Sequence, residues 1–299
     1  MPDTALPDHD YLTVKELAAL LRLKERKVYD LAASGAVPCS RATGKLLFPA
    51  AEIRAWIAAS QSGGTDPLGR PAAPRPAILL GSHDPLLDWA VRESRCGLAT
   101  RIDGSLDGLT RFARGEGVAA GLHVHDASTD SWNVAAAAEA AAGANAALIA
   151  FARRRRGLVS RPDGPMPAGF ADLPGLRIVA RQPESGAHAL FRARAAAAGL
   201  DPDALDWAET ARTEDDAAAA VRRGAADVAF GLEAVAATHG LTFAPLLEEE
   251  FALLVDRKAW FDPPLQGLMA FCTTERFAAR ATELGGYDAS DLGNVLWNA

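Results

Sequence analysis

Small polar residues recur in this chain where a short apolar run gives way to a helical pattern. Ser82, Ser105 and Ser185 each precede a stretch with helical periodicity. Because the first amides of a helix have no partner within it, these amides and a nearby hydroxyl can together surround an anion. The pattern therefore favours anion binding, although each serine could instead serve only as the N-cap of its own helix.

Five such junctions carry polar groups, and open α/β sheets bind ligands at strand ends of this kind. The junctions are Gly81-Ser82-His83-Asp84, Asp103-Gly104-Ser105, His123-Val124-His125-Asp126, residues 181–188 and Gly231-Leu232-Glu233. Trp132 and Asn133 follow the third junction and could add an aromatic wall and an amide to a cleft. The predicted ligand-binding residues are Ser82, His83, Asp84, Ser105, His123, Asp126, Asn133, Arg181, Ser185, Gly186 and Glu233.

Motifs for metal binding and catalysis are missing from the sequence. The histidines near the junctions lack metal-ligand spacing apart from the weak His123-x-His125 pair, so we expect no metal site and no cofactor. There is no Gly-x-Ser-x-Gly, no phosphate loop ending in Gly-Lys-Ser/Thr and no His-Glu-x-x-His. A Ser–His hydrolytic pair is the enzymatic alternative, but nothing in the sequence places an Asp behind a His as such a pair requires. We therefore predict a binding protein rather than an enzyme.

The first sixty residues have the pattern of a small winged helix-turn-helix. Thr13 and Glu16 match a capping box that opens a first helix, and a second helix is predicted over residues 25–33, with Gly35 as its left-handed stop. Residues 39–48 predict a β-hairpin wing with Gly44 at its tip, and a third helix begins after Pro49.

Basic side chains concentrate in this region. Residues 11–48 have a charge balance of +4, whereas the whole chain has a net charge of −7. The alternative is a solvated basic face, since charge clusters on helices usually face water. A recognition helix enters the major groove near its N-terminus, and a wing meets phosphates. The predicted DNA-binding residues are Lys24, Arg26, Lys27, Arg41 and Lys45.

The remainder of the chain alternates strand and helix patterns, which predicts an α/β fold. Residues 61–76 are rich in Gly and Pro, and we interpret them as an interdomain linker. Predicted strands cover residues 77–80, 97–102, 118–122, 147–151, 177–180, 226–230 and 251–255. Predicted helices cover residues 86–94, 106–114, 187–198 and 215–223.

Length and composition are those of a globular protein with two or three domains. The 299 residues are 49% hydrophobic, enough for a sizeable core. Cys39, Cys96 and Cys272 are isolated, which argues against a disulfide framework and against structural zinc. The sequence has no secretory-signal pattern and no run approaching about 18 apolar residues. We expect a cytoplasmic protein with no membrane partner.

Residues 11–18 (YLTVKELA) and 44–49 (GKLLFP) resemble the excisionase-like branch of the mercury-regulator-type winged helices. The resemblance covers about fifty residues and implies binding to double-stranded DNA. Small winged helices usually need two copies for specificity, so we expect a homodimer.

Residues 77–298 resemble the type II periplasmic-binding-protein fold, in the branch found fused to DNA-binding domains or molybdenum-cofactor enzymes. Residues 181–188 (RQPESGAH) are similar to the Ser-Arg-Gly-Asp-x-Ser-Gly-Thr-His stretch of tungstate-binding transport proteins. The resemblance implies that Arg181 is the charge partner of an oxyanion and that Ser185 and Gly186 supply donors. Ala187 replaces the Thr of that family and removes one hydroxyl.

The predicted organisation is a winged helix-turn-helix over residues 1–60, a linker over 61–76 and a two-lobed ligand-sensing domain over 77–299. Lobe I comprises residues 77–151 and 243–299, and lobe II residues 157–240, with crossings near 152–156 and 234–242. Four consecutive arginines, residues 153–156, lie beside the first crossing. They could bind a phosphate or DNA, but we predict an exposed hinge rim, because charge runs are usually solvated.

Together these features predict a one-component transcriptional regulator that binds operator DNA and senses a small anion, most favourably molybdate or tungstate. Closure of the lobes around the ligand could change the spacing of two DNA-binding domains in a dimer. One alternative is a regulator of an organic ligand such as molybdenum cofactor or a carboxylate. Another is an anion-binding protein that does not bind DNA.

Overall fold

The computed structural model describes residues 10–21, 23–35, 37–40, 44–59 and 74–299. The chain divides into two compact units, Met1–Ala73 and Pro74–Ala299. Arg41 and most of the predicted linker lie outside the described residues.

The N-terminal unit is a helix-turn-helix followed by a strand and a third helix. Its elements are β1 (Tyr11–Thr13), α1 (Val14–Leu21), α2 (Glu25–Ala33), β2 (Leu47–Pro49) and α3 (Ala50–Ala59). β1 and β2 pair antiparallel, with Leu12 opposite Phe48. The predicted capping box is confirmed: Thr13 Oγ1 accepts the Glu16 amide at 3.3 Å, and Glu16 Oε2 accepts the Thr13 amide at 2.8 Å.

A small apolar core holds these elements together. Leu12, Leu17, Val28, Phe48 and Ile53 are fully buried, so all three helices and the strand pair contribute to it. The backbone is left-handed at the predicted helix stop, residue 35, and at the wing tip, residue 44, and both positions are glycines.

The C-terminal unit contains every strand and helix predicted for it, together with elements that the pattern did not indicate. In chain order they are β3 (Ile78–Gly81), α4 (Pro85–Ser94), β4 (Ala99–Ile102), α5 (Ser105–Ala113), β5 (Ala119–Leu122), β6 (His125–Asp126), β7 (Ser131–Trp132), α6 (Val134–Ala140), β8 (Ala146–Ser160), β9 (Arg177–Arg181), α7 (Gly186–Ala197), β10 (Asp206–Ala211), α8 (Glu214–Arg222), β11 (Val228–Leu232), α9 (Glu233–Thr238), β12 (Thr242–Asp256), α10 (Pro263–Cys272), α11 (Glu275–Leu284), β13 (Tyr287–Asp288) and β14 (Val295–Asn298).

One curled sheet with the order β10-β9-β11-β8-β12-β5-β3-β4 runs through two lobes. The first lobe is built on β3, β4 and β5, in which β3 lies parallel to both neighbours. The second lobe is built on β9, β10 and β11, in which β9 lies parallel to both neighbours. Parallel strands aligned in this way place their carboxyl ends, and the helix starts that follow, along one edge of each lobe.

The two long strands β8 and β12 connect the lobes. They pair antiparallel from Ala146 opposite Asp256 to Ser160 opposite Thr242. The sequence placed the second crossing at residues 234–242, but α9 occupies most of that stretch and the chain returns to the first lobe within β12. Hydrophobic clusters flank the sheet in both lobes, with Phe151 and Leu254 in the first and Leu158 and Val221 in the second.

Candidate functional site

Two of the predicted serines meet at the strand ends of the first lobe. Ser82 follows β3 and Ser105 opens α5, and their hydroxyl oxygens lie 2.7 Å apart. Ser105 Oγ also accepts the backbone amide of His123, just after β5, at 3.1 Å. All three residues are buried. The ends of two neighbouring strands and the start of a helix thus converge on one pair of hydroxyls.

The second lobe brings the third serine against this point. Ser185 is the N-cap of α7, and its Oγ accepts the amide of His188 at 3.1 Å. The backbones of the lobes touch beside it, because the Leu106 amide donates to the Glu184 carbonyl at 3.1 Å. We call Ser82, Ser105 and Ser185 the serine cluster. Helices α5 and α7 both begin here. The first amides of a helix have no hydrogen-bond partner within that helix.

The prediction of a solvated arginine run is wrong for two of its four members. Arg154 and Arg156 are 1% and 0% exposed, whereas Arg153 and Arg155 lie on the other face of β8 and reach solvent. The reason is the strand itself, since successive side chains of a strand point to opposite faces.

Arg154 is held between the two lobe-crossing strands and α4. Its Nη1 donates to Asp84 Oδ2 at 2.8 Å, and its Nη2 donates to Glu249 Oε1. The hydroxyl of Tyr287 donates to the same Asp84 oxygen at 2.7 Å. The guanidinium also lies over the ring of Phe251, with 4.3 Å to the centroid.

Arg156 extends the same chain of ion pairs into the second lobe. It donates to Glu249 Oε2 at 2.7 Å and to Glu214 Oε1 at 2.9 Å. Arg181 meets Glu214 at 2.9 Å and donates to the carbonyl of Ala211 at 3.2 Å. We call this set the ionic cluster: Asp84, Arg154, Arg156, Arg181, Glu214, Glu249 and Tyr287.

The protonation states follow from burial and these pairings. Burial alone would raise the pKa of Glu249 and Glu214, but the adjacent guanidinium groups hold both values far below 4.5. Burial lowers the pKa of His123 below 6.5, although its Nδ1 lies 3.2 Å from Glu249 Oε2. Burial raises the pKa of Tyr287 well above 10, which keeps its hydroxyl a donor. Three guanidinium groups therefore face three carboxylates.

Four further predicted ligand-binding residues are Asn133, Asp126, His83 and Glu233. Asn133 accepts the amide of Val124 at 2.7 Å and donates to the carbonyl of Glu250 at 2.9 Å. Asp126 accepts the amide and hydroxyl of Ser128 and closes a turn. The remaining two are His83, half-buried beside Ser82 with Nδ1 unpartnered among the described residues, and Glu233, paired with Arg155 at 2.5 Å.

A contact between the lobes also explains why residue 186 is a glycine. A Cβ on Gly186 would lie 2.5 Å from the His123 carbonyl oxygen, across the boundary between the lobes. At the mouth of the same contact, Arg212 and Asp103 form an exposed ion pair at 3.2 Å. The predicted amide donor at residue 186 thus lies directly against the strand end of the other lobe.

The sequence analysis missed Glu214, Glu249 and Tyr287. Glu249 had a usable signal, because residues 248–250 are three acids directly before the predicted strand 251–255 and residues 153–156 are four arginines. In the structure Glu249 stands opposite Arg154 in the β8–β12 pairing. Tyr287 had no such signal, since it lies more than two hundred residues beyond its partner Asp84.

In the N-terminal unit, the predicted DNA-binding side chains within the described part are exposed. Lys24, Arg26 and Lys27 lie at the start of α2, and Lys45 lies on the wing. The opposite face of α2 packs into the core through Val28 and Ala32. A groove of about 770 Å³ runs between this helix and the wing, lined among others by Lys15, Tyr29 and Lys45.

The described residues contain neither a metal-binding cluster nor a membrane-spanning helix. No group of three or more His, Cys, Asp or Glu side chains is arranged to hold a metal ion. No helix combines the length and the hydropathy that a membrane span requires.

Comparison with known proteins agrees with this architecture. The model of the family described as "Helix-turn-helix domain" matches residues 11–61. The uncharacterized protein YvgK of Bacillus subtilis (strain 168) is 24% identical over 302 residues, which cover 95% of this chain and 97% of that protein.

Solved structures resemble the C-terminal unit in fold. A substrate-binding protein of Clostridium perfringens, crystallised with bound phosphate, has a TM-score of 0.52 at 9% identity and covers 71% of this chain and 98% of its own. The sulfate-binding protein SubI of Mycobacterium tuberculosis has a TM-score of 0.51 at 15% identity, covering 72% and 86%. The family model described as "PBP superfamily domain" matches residues 89–273, more than half of the sequence. The chain therefore belongs to the PBP superfamily-domain family and joins that domain to an N-terminal helix-turn-helix domain.

Proposed function

We propose that this protein is a DNA-binding regulator that senses a small tetrahedral oxyanion at the serine cluster. The observation that carries the proposal is that the N-termini of α5 and α7, each with a buried serine, lie against each other where the strand ends of the two lobes meet. Hydroxyls and the amides of helix N-termini are donors, and a cluster of donors fits an anion rather than a cation.

The charges nearby support a site that uses neutral donors. Asp84 and Glu249 would repel an anion if they were unpaired, but Arg154 binds both of them. Arg181, which the sequence resemblance made the charge partner of the oxyanion, is paired with Glu214. Arg181 would therefore affect ligand binding only indirectly, by fixing Glu214 at the start of α8.

Molybdate and tungstate are the favoured ligands, on the strength of the similarity of residues 181–188 to tungstate-binding proteins. Phosphate and sulfate join the panel, because one neighbour in fold was crystallised with phosphate and another is a sulfate-binding protein. The second candidate is an organic anion such as molybdenum cofactor or a carboxylate, which the same donors could hold by an acidic group.

Calorimetric titration of the purified protein with molybdate, tungstate, sulfate and phosphate tests the sensor half of the proposal. We expect selective binding that weakens by about tenfold in Ser105→Ala, because a hydroxyl donor and the geometry it fixes are lost. Ser94→Ala is the matched control, since Ser94 bonds only to the carbonyl of Val91 in its own helix. No heat with any of the four anions would reject the oxyanion and direct the search to organic ligands.

The DNA-binding part of the proposal rests on the exposed Lys and Arg side chains of α2 and the wing. We expect a homodimer in the cytoplasm that binds two half-sites. Duplexes selected from a random-sequence pool would supply the probe, and Lys27→Ala should weaken their binding and reduce its salt dependence. Lys258→Ala, on the C-terminal unit, is the charge-matched control. Equal binding by both variants would show that the basic face of α2 is merely solvated.

A further inference from the structure

Two glycines, one from each lobe, lie where the lobes touch beside the serine cluster. A Cβ on Gly104 would lie 2.7 Å from the Glu184 carbonyl oxygen and 3.1 Å from the Ser185 Cα. A Cβ on Gly186 would lie 2.5 Å from the His123 carbonyl oxygen. The obstructing atoms are mainly backbone atoms of the opposite lobe, which cannot rotate away as the end of a side chain can.

The contact is direct as well as close. The Leu106 amide, two residues after Gly104, donates to the Glu184 carbonyl at 3.1 Å, so main chain meets main chain across the boundary. The serine cluster adjoins this contact on both sides, through Ser105 in one lobe and Ser185 in the other. Any ligand held by serines from both lobes must fit within the spacing that this backbone contact permits.

We propose that Gly104 and Gly186 are specificity-determining residues that restrict the site to a compact ion. This inference rests on the proposed oxyanion function and narrows it, since a spacing set by main chains in direct contact favours a small tetrahedral oxyanion over a bulky ligand such as a pterin. A methyl group at either position keeps the lobes apart and leaves the donors of one lobe too far from a small ion held by the other.

Gly186→Ala is the primary test, because the backbone at residue 186 is helical and accepts alanine without left-handed strain. The substitution also keeps the residue 186 amide, so a loss of binding reports spacing rather than a missing donor. Gly169→Ala is the control: this backbone is extended, and a Cβ there meets nothing within 4 Å.

Gly104→Ala gives an independent second test with its own control. Gly104 has φ +111°, so alanine is strained there. Gly97→Ala carries comparable strain at φ +84°, but its Cβ meets nothing within 4 Å. The difference between these two variants isolates the clash between the lobes.

The measurement is calorimetric affinity for sulfate, molybdate and tungstate, with circular dichroism and urea unfolding to verify that each variant is folded. We expect Gly186→Ala and Gly104→Ala to lose about tenfold or more in affinity relative to their controls, and to lose most for sulfate, the smallest ion. Wild-type binding that both variants retain would overturn the inference and leave the proposed function standing. A wild type that binds none of the ions would overturn the proposed function, and the inference with it.

Discussion

The ionic cluster and the serine cluster lie next to each other but consist of different groups, charged in the first and neutral in the second. The ionic cluster contains three carboxylates, the buried Arg154 and Arg156 and the partly buried Arg181, and each charge has an opposite partner. The serine cluster holds only neutral hydroxyls and helix amides at the meeting of two lobes. The arginines and carboxylates of the ionic cluster therefore neutralise one another within the domain, whereas the proposed ligand site offers neutral donors.

Because their groups differ, the two clusters should respond differently to substitution. A buried ion pair contributes little net stability compared with apolar packing, but removing one partner leaves an unpaired charge and is costly. A neutral donor can be removed at small cost to the fold, yet it faces whatever enters the site. Substitutions in the first cluster should mainly change stability, and substitutions in the second should mainly change ligand affinity.

The largest effect is expected for Glu249→Gln. Glu249 accepts hydrogen bonds from Arg154 and Arg156 and lies beside His123, all of them buried, so its neutralisation leaves two guanidinium groups short of an anion. We expect the free energy of unfolding to fall by about 3–5 kcal/mol in urea titration. Glu248→Gln, the exposed neighbour on β12, should change it by less than about 0.5 kcal/mol. Equal effects would show that burial of the ionic cluster does not matter.

Stability should also fall in acid, with a direction fixed by the cluster. The native pKa of His123 is below 6.5, and those of Glu214 and Glu249 are below 4.5. The unfolded chain takes up protons that the native state does not bind, so stability present at pH 7 is lost as the pH falls. Each group contributes up to about 1.4 kcal/mol per pH unit, His123 first and the two acids later.

Urea titrations at pH 7.5, 6 and 4 would measure this dependence. In His123→Gln the decline between the first two pH values should flatten, whereas the decline toward pH 4 should persist. A wild type whose stability does not change over the whole range would contradict the assignment of buried, paired carboxylates.

Ser185 allows the local and the ligand-binding roles of a serine to be separated. Ser185→Ala removes the N-cap of α7 and should cost about 1 kcal/mol of stability whether or not a ligand binds. Ser185→Asp retains a capping oxygen and places a negative charge at the proposed anion site. We expect near wild-type unfolding but no oxyanion binding in calorimetry. Retained binding in the Asp variant would mean that Ser185 is only a cap.

Periodicity predicted many of the local elements of this fold, but it did not indicate α6, α9, α10 or α11. The apolar runs and capping residues predicted α2 at its observed bounds. Each strand and helix that they predicted in the C-terminal unit is present in the structure. Ser82 and Ser105, which follow neighbouring parallel strands, lie together because parallel strands align their carboxyl ends. These features depend on neighbours in sequence and on one general rule of sheet geometry.

Long-range pairing could not be predicted in the same way. The run at residues 153–156 looks uniform in the sequence, and only its place in β8 makes Arg154 and Arg156 buried. Arg181 likewise has the residue type of an anion ligand, but its partner Glu214 comes from a helix start thirty-three positions later. Which charge is neutralised depends on the register of distant strands, and a single sequence does not contain that register.

The smallest effect should come from the exposed members of the same arginine run. Arg155 pairs with Glu233, but the side chains are 48% and 25% exposed, so water competes with the ion pair. Arg155→Ala should therefore lower the free energy of unfolding by less than about 1 kcal/mol. Measured beside Glu249→Gln, this variant tests whether alternation along β8, rather than charge itself, decides which groups are essential. A loss as large as that of Glu249→Gln would show that the two faces of β8 contribute alike.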